Sequence, residues 1–358
     1  METNLKVCGI VVEYNPFHNG HIYHINKARE ISDADVLIAA MSPNFVQRGE
    51  PAFINKWART RAALEAGVDI VIEIPTYFVM QRADIFVESA IRLLSYLQVD
   101  TIVYGSETNE KQATPVFDPK TMSDGSSFAK ASNPNNLKPN DLLGSLYEKY
   151  AQQYAMNTYT IQRTNNYKDK NLNGNIVSAS AIRHNYKNKL DMSQFTPMNF
   201  SKQIHSLTDY DSLFRLLWHH QDATTLQSNL LMDEGIENLF LKHRSLPLNQ
   251  LIQKTTSKRY TESKIKRTLF NTLLNHKKDS VHFPPHARIL GFNEKGQTYL
   301  SEHKDHLLTC SSFKDYALKD QELNASAIYA SPYSKEYYQA TLQREKQAPI
   351  IIKKDNIV

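Results

Sequence analysis

Two histidines three positions apart, His18 and His21, with Gly20 between them, are the residues whose type and spacing best suit chemistry. They follow an apolar, strand-like run from Cys8 to Val12 and a polar turn holding Asn15, Pro16 and Asn19. A helix-like segment, Ile22 to Ile31, comes next. A turn that opens a helix exposes backbone N–H groups at the positive end of the helix dipole, and both favour phosphate. Two imidazoles there can hydrogen-bond phosphate oxygens while charge builds at the α-phosphorus. Gly20 is expected to let the backbone come close to the nucleotide. Zinc fits the pair less well. Structural zinc takes four Cys or His ligands, and Cys8 and Cys310 lie far apart and outside any ligand cluster.

A second polar element, Ser178-Ala-Ser-Ala-Ile-Arg183, complements the first. Ser178 and Ser180 at a helix start can cap the backbone and donate to phosphate oxygens. Arg183, one turn further on, can neutralise a polyphosphate. Alone the segment reads as an ordinary capped surface helix; beside the histidines it supplies the other half of a triphosphate site.

Strand and helix patterns alternate through the first hundred or so residues and must position these groups. Strands are expected at Val7–Val12, Asp35–Ala40, Asp69–Ile74 and Thr101–Tyr104, with helices at Lys56–Gly67 and Ala83–Leu97. Such alternation implies a parallel sheet flanked by helices, with ligands beyond the C-terminal strand ends. The stretch Asn109–Asn136, poor in large apolar residues, reads as a mobile loop or lid. A helix over Asn140–Met156 and a strand over Tyr159–Gln162 follow. The pattern shifts from about Asp191, and a boundary is expected near residue 195. Residues 1–195 would form the α/β, Rossmann-like core and residues 196–358 a mainly helical domain.

At 358 residues the chain has room for two domains, and 41% hydrophobic with 22% charged residues suits a globular protein. No apolar run is long enough to span a bilayer. Two cysteines provide no disulfide framework, and the N-terminus lacks a signal-peptide pattern, so the cytoplasm is the expected compartment. The net charge of +5 permits a nucleic-acid partner. Between Leu251 and Leu290 nine Lys or Arg residues face only Glu262 and Asp279. Within that run Lys258, Arg259, Lys264 and Arg267 are candidate RNA-backbone contacts, as is Arg48 in the Ser42–Pro51 loop. A solvated face is the competing account of the run, and a solvated loop that of Arg48. The same applies to Lys56, Arg59 and Arg61. Glu73 is expected to serve in an ion pair or hydrogen bond, and Asp84 and Glu88 to partner nearby cations.

The His-x-Gly-His and Ser-x-Ser-x-Ile-Arg pair resembles the nucleotidyltransferase superfamily related to class I aminoacyl-tRNA synthetases. Four longer stretches are similar to the bacterial tRNA(Met) cytidine acetate ligase family: Val11–His21, Met41–Pro51, Gly67–Pro75 and Pro139–Gly144. The resemblance covers the N-terminal half well and reaches weakly into Lys258–Arg267. It implies activation of acetate by ATP to acetyl-adenylate, then transfer of the acetyl group to N4 of the wobble cytidine of elongator tRNA(Met). It further implies an ATP site formed by Val11, Val12, Glu13, Tyr14, Asn15, Pro16, Phe17, His18, Asn19, Gly20, His21, Ile22, Tyr23 and His24. Gly105, Asn140, Arg163, Thr164, Ser178, Ser180 and Arg183 complete it, and His18, His21 and Arg183 would be catalytic. Mg²⁺ is expected only as a companion of ATP, with no protein-held metal site. Thr114–Asn136 and Asn166–Asp169 depart from the family pattern. Two other functions fit the motifs: an adenylyltransferase making a dinucleotide-type cofactor, and a non-catalytic RNA-binding protein with an ATP pocket.

Overall fold

The computed structural model describes residues 5–163, 172, 174–200 and 203–353. Ten strands occur among them: β1 (Val7–Val12), β2 (Val36–Met41), β3 (Phe45–Val46), β4 (Glu50–Pro51), β5 (Ile70–Glu73), β6 (Thr101–Ser106), β7 (Asn157–Gln162), β8 (Ala287–Asn293), β9 (Thr309–Cys310) and β10 (Ile350–Ile352). The main sheet runs β10-β8-β5-β2-β1-β6-β7, with β9 also paired to β8. Strands β5, β2, β1, β6 and β7 are mutually parallel. The expected α/β core with a parallel sheet is therefore present.

Strict alternation along β2 explains the layering. Val36, Ile38 and Ala40 face one core, while Leu37, Ala39 and Met41 face the other. Helices α1 (Asn19–Ser32) and α2 (Lys56–Glu65) cover the second face through Ile25, Ala28, Trp57, Ala63 and Leu64. A short α3 (Thr76–Val79) precedes α4 (Ala83–Ser95). Next come α5 (Pro119–Ser123), α6 (Phe128–Ala131), α7 (Pro139–Gln152) and α8 (Ala179–Lys187). Helices α4 and α7 cover the first face.

Three differences from expectation have physical causes. Helix α1 begins at Asn19 rather than Ile22, because His18 is its N-cap. The stretch around 109–136 is structured rather than loose. Asp118 receives the Lys120 N–H (3.0 Å) and the Thr121 hydroxyl (2.6 Å), which starts α5, and Asp118 N–H donates to Ala131 O (2.9 Å). Finally, the sheet crosses the boundary expected near residue 195. Helices at Asp211–His219, Ile236–His243, Leu248–Thr255, Glu262–Leu273 and Lys319–Ala330 do pack around Tyr210, Phe214, Phe240, Leu269 and Phe270. Yet β8 returns antiparallel along β5. It covers backbone that would otherwise be an open edge.

A buried ion network fastens that return. Lys56 Nζ lies 2.7 Å from Glu345 and also pairs with Glu73. Arg288 Nη1 lies 2.7 Å from Glu73 and contacts Glu345 as well. Each of these side chains is at most 4% exposed. Lys56 is thus not on a solvated face, and Glu73 has its expected structural role. Stripping one carboxylate from such a network strands buried cations. Glu345→Ala is expected to lower unfolding stability by about 3–5 kcal/mol, read by urea denaturation. A loss under about 1 kcal/mol would mean that water replaces the carboxylate.

Candidate active site

Strand order reverses at β1, with β2 on one side and β6 on the other. Open parallel sheets bind ligands in the crevice at such a switch. The turn leaving β1 is built to stand there. Tyr14 takes a positive φ of 52°, a strained conformation for a bulky residue. Its ring is held edge-on by Phe17 and His21, each at 4.8 Å. Asn15 Oδ1 accepts the Phe53 N–H at 2.7 Å. Below the turn, the buried Arg59 donates to the carbonyls of Glu13 (2.6 Å), Ser42 (3.0 Å), Ile54 (2.9 Å) and Pro43. Arg59 is therefore a brace and not a surface cation.

The histidine pair is locked by backbone donors. Gly20 N–H donates to His18 Nδ1 at 3.0 Å, and His18 N–H donates to His21 Nδ1 at 3.1 Å. The two rings lie 3.8 Å apart. With both Nδ1 atoms accepting, each neutral ring carries its proton on Nε2. Gly20 serves this arrangement directly: a Cβ there would lie 2.8 Å from His18 Cε1 and 3.1 Å from Ile176. Its first role is thus to admit the folded-back imidazole, whatever approach it also allows a nucleotide.

Burial pushes His18 down to about 3, with Arg163 and Arg183 adding to the effect. Burial also holds His21 well below its usual value, helped by His18 and His24. His24, half-buried with Nε2 3.3 Å from Val103 O, is pushed down to about 4, chiefly by desolvation. The site therefore offers neutral imidazoles as donors, and its positive charge comes from guanidinium groups.

Arg183 Nη1 donates to Asn15 O, and Nη2 lies 3.4 Å from Ser180 Oγ. This joins the Ser178–Arg183 element to the histidine turn. Ser178 caps α8 by accepting the Ala181 N–H at 3.0 Å. The Arg163 side chain lies over Gly105 at the end of β6. Asn140 Nδ2 donates to Glu107 at 2.6 Å, so Asn140 is oriented by a neighbouring carboxylate.

All these elements open onto one cavity of about 1120 Å³. From the sequence-derived set it takes Val11, Val12, Glu13, Tyr14, Asn15, His18, Gly20, His21, Tyr23, His24, Gly105, Asn140, Arg163, Ser178 and Arg183. Pro16, Phe17, Asn19, Ile22 and Ser180 are not in its lining. Phe17 is fully buried behind the turn, and Asn19 Nδ2 ties it to Asn175 O (3.0 Å) and Gln194 O (2.9 Å). Thr164 and Asn166–Asp169 lie outside the described residues.

The basic candidates also divide. Arg48, Arg259, Lys264 and Arg267 line the same cavity; Lys258 does not and instead reaches Asp124 O at 3.3 Å. Glu234 partly neutralises the rim, pairing with Arg259 at 3.2 Å and Lys264 at 3.8 Å. Arg267 donates to Gln47 O at 3.4 Å, and burial lowers its pKa to about 10. Gly49, at φ +80°, lets the hairpin of β3 and β4 touch that helix, where a Cβ would come within 2.3 Å of the Arg267 nitrogen. Asn44 is structural, accepting the Lys56 N–H at 2.9 Å. Asp84 pairs with Arg82 at 2.8 Å, as its expected role requires. Sequence reasoning missed Arg82, Glu234, Phe117 and Phe128 as cavity residues. No periodic pattern marks them, because short turns and helix ends carry them.

A family model described as HIGH Nucleotidyl Transferase matches residues 5–347. A tRNA(Met) cytidine acetate ligase of Caldicellulosiruptor saccharolyticus is 35% identical, over 97% of this chain and 99% of its own. That of Limosilactobacillus reuteri is 37% identical, over 97% and 100%. Among solved structures, apo Thermotoga maritima TmcAL is 27% identical with a TM-score of 0.86, covering 98% of this chain and 100% of its own. The same protein bound with alpha-thio ATP is 26% identical with a TM-score of 0.85.

The buried histidines set a pH signature. A histidine held low in the folded state takes up its proton on unfolding, so its neutral form favours the fold above about pH 6.5, and that advantage shrinks as pH falls towards 3. His18→Asn, which retains a capping acceptor, should flatten the stability-against-pH slope between pH 4.5 and 5.5. The change expected is about 1.4 kcal/mol per pH unit, measured by urea unfolding at stepped pH. An unaltered slope would place the His18 proton on the ring already in the folded state.

Proposed function

The chain belongs to the HIGH nucleotidyl transferase family, in the company of the tRNA(Met) cytidine acetate ligases, and we propose that it works as one. In the first step an acetate oxygen attacks the α-phosphorus of ATP. The new P–O bond forms as the bond to diphosphate breaks, leaving acetyl-adenylate. In the second step N4 of the wobble cytidine of elongator tRNA(Met) attacks the acetyl carbon. AMP departs with the bonding electrons, and the amine loses a proton.

The observation that carries this proposal is the single cavity that holds both halves of the chemistry. At its floor, His18 and His21 offer Nε2–H donors to phosphate oxygens without adding charge of their own. Arg163 and Arg183 supply the cationic field that an anionic nucleophile and a polyanion both need. Neutral donors stabilise the growing charge at phosphorus and leave no proton to quench acetate. At the rim, Arg48, Arg259 and Lys264 suit an RNA backbone. The anticodon loop is single-stranded, so its bases can be splayed into such a cavity without opening a duplex.

The described residues hold no group of three or more His, Cys, Asp or Glu able to bind a metal ion. Any Mg²⁺ is assigned to the triphosphate that brings it. Among the described residues no helix is long and apolar enough to cross a membrane. We place the reaction in the cytoplasm, with its tRNA substrate.

The test incubates the protein with ATP and labelled acetate, with and without elongator tRNA(Met). Label is expected in RNA as N4-acetylcytidine only when ATP is present. His21→Ala should slow acetyl-adenylate formation at least about a hundredfold, the usual cost of losing one transition-state donor. Acetyl-adenylate made at the normal rate by that variant would remove His21 from the mechanism. No label in RNA and no adenylate, from protein that binds ATP, would overturn the acetate assignment.

A further inference from the structure

Residues of the 109–137 stretch line the same cavity as the basic residues, and two phenylalanines there remain exposed. Phe117 is 42% and Phe128 36% exposed. Scattered exposed apolar residues need no explanation, but these two are paired, with ring centroids 5.2 Å apart and planes inclined by 30°. The Arg82 guanidinium lies 4.6 Å from the Phe128 ring centre. It is held in that orientation by two hydrogen bonds to Asp84, at 3.1 and 2.8 Å. Thr114 Oγ1 anchors the wall to α7 through Ser145 O at 2.7 Å. Outside the cavity lining, Lys258 Nζ reaches Asp124 O of this same stretch. The aromatic pair and the cations Arg48, Arg259 and Lys264 therefore line one cavity, which also contains the histidines.

A cationic groove beside exposed, rigidly backed aromatic rings is the combination that holds single-stranded nucleic acid. The cations follow phosphate and the rings stack on bases. Neither ring offers a hydrogen bond, so the surface suits a base face and has little to give a sugar or phosphate. We propose that the Phe117–Phe128 pair, backed by Arg82, is the stacking platform for one unpaired nucleobase of the RNA at the cavity mouth. This rests on the RNA substrate assigned above. The wall then has a positioning role. A base stacked there fixes the register of the loop, and that register decides which neighbouring amine reaches the adenylate.

The test measures affinity for the anticodon stem-loop of elongator tRNA(Met), intact and with single abasic sites stepped through the loop. Wild-type protein should lose roughly tenfold in affinity at one abasic position, a typical effect of one stacked base. The double variant Phe117→Ala/Phe128→Ala should show the same loss with intact RNA and no further loss with that abasic RNA. Phe117→Tyr/Phe128→Tyr should restore wild-type behaviour. Equal weakening of intact and abasic RNA in the alanine variant would make the pair structural and overturn the proposal, as would no change at all. Labelled acetate is followed in parallel. The expected coupling without acetyl transfer would retain the platform and reject the acetate assignment; transfer without the coupling would do the reverse. A wild-type protein that fails to bind the stem-loop would end both.

Discussion

One buried guanidinium holds the histidine turn in shape. Arg59 satisfies carbonyls from the turn after β1, the turn after β2 and the segment leading into α2. Those segments carry the strained Tyr14, the Ser42–Pro51 hairpin and the buried Lys56. Polar backbone leaving a sheet at its C-terminal edge must find partners once a cavity wall covers it. A planar cation with a fixed fork of donors does this for several carbonyls at once. Burial lowers Arg59 only to about 10, so it remains charged at neutral pH. The histidine turn thus stands on a hydrogen-bonded base.

The division of labour above that base follows from dielectric. Charged imidazoles would be costly beside two guanidinium groups in a buried site. Backbone N–H donors into both Nδ1 atoms favour the neutral rings, leaving directional Nε2–H groups for a ligand. Fixed charge then resides on arginines, which stay protonated.

Much of this is legible in the residues. The His18–His21 spacing, the alternating elements and the Ser178–Arg183 cap point to a phosphate site at the strand ends, and the structure brings them together. What stays hidden depends on distant partners. Lys56 and Arg59 look like a basic helix face, because nothing local shows that Glu345, 289 residues away, neutralises Lys56. Gly20 looks like room for a ligand, since the sequence does not show an imidazole folded back over its own turn. The 109–136 stretch looks loose because its order comes from side-chain caps such as Asp118 rather than from apolar periodicity. The seven residues of β8 carry no local sign of which sheet they join, because their partner β5 lies more than two hundred residues earlier.

The return of β8 and β10 to the first sheet bears on how the protein is made. Ribosomes deliver Lys56 and Glu73 more than two hundred residues before Arg288 and Glu345. Domains usually fold in turn as they emerge. Here β5 has an open edge until β8 has been made, and the ion network is incomplete until Glu345 follows. A nascent or prematurely ended chain that lacks β8 would keep that edge open to chaperones and proteases, and one that stops short of Glu345 would leave Lys56 and Arg288 with half of their carboxylates.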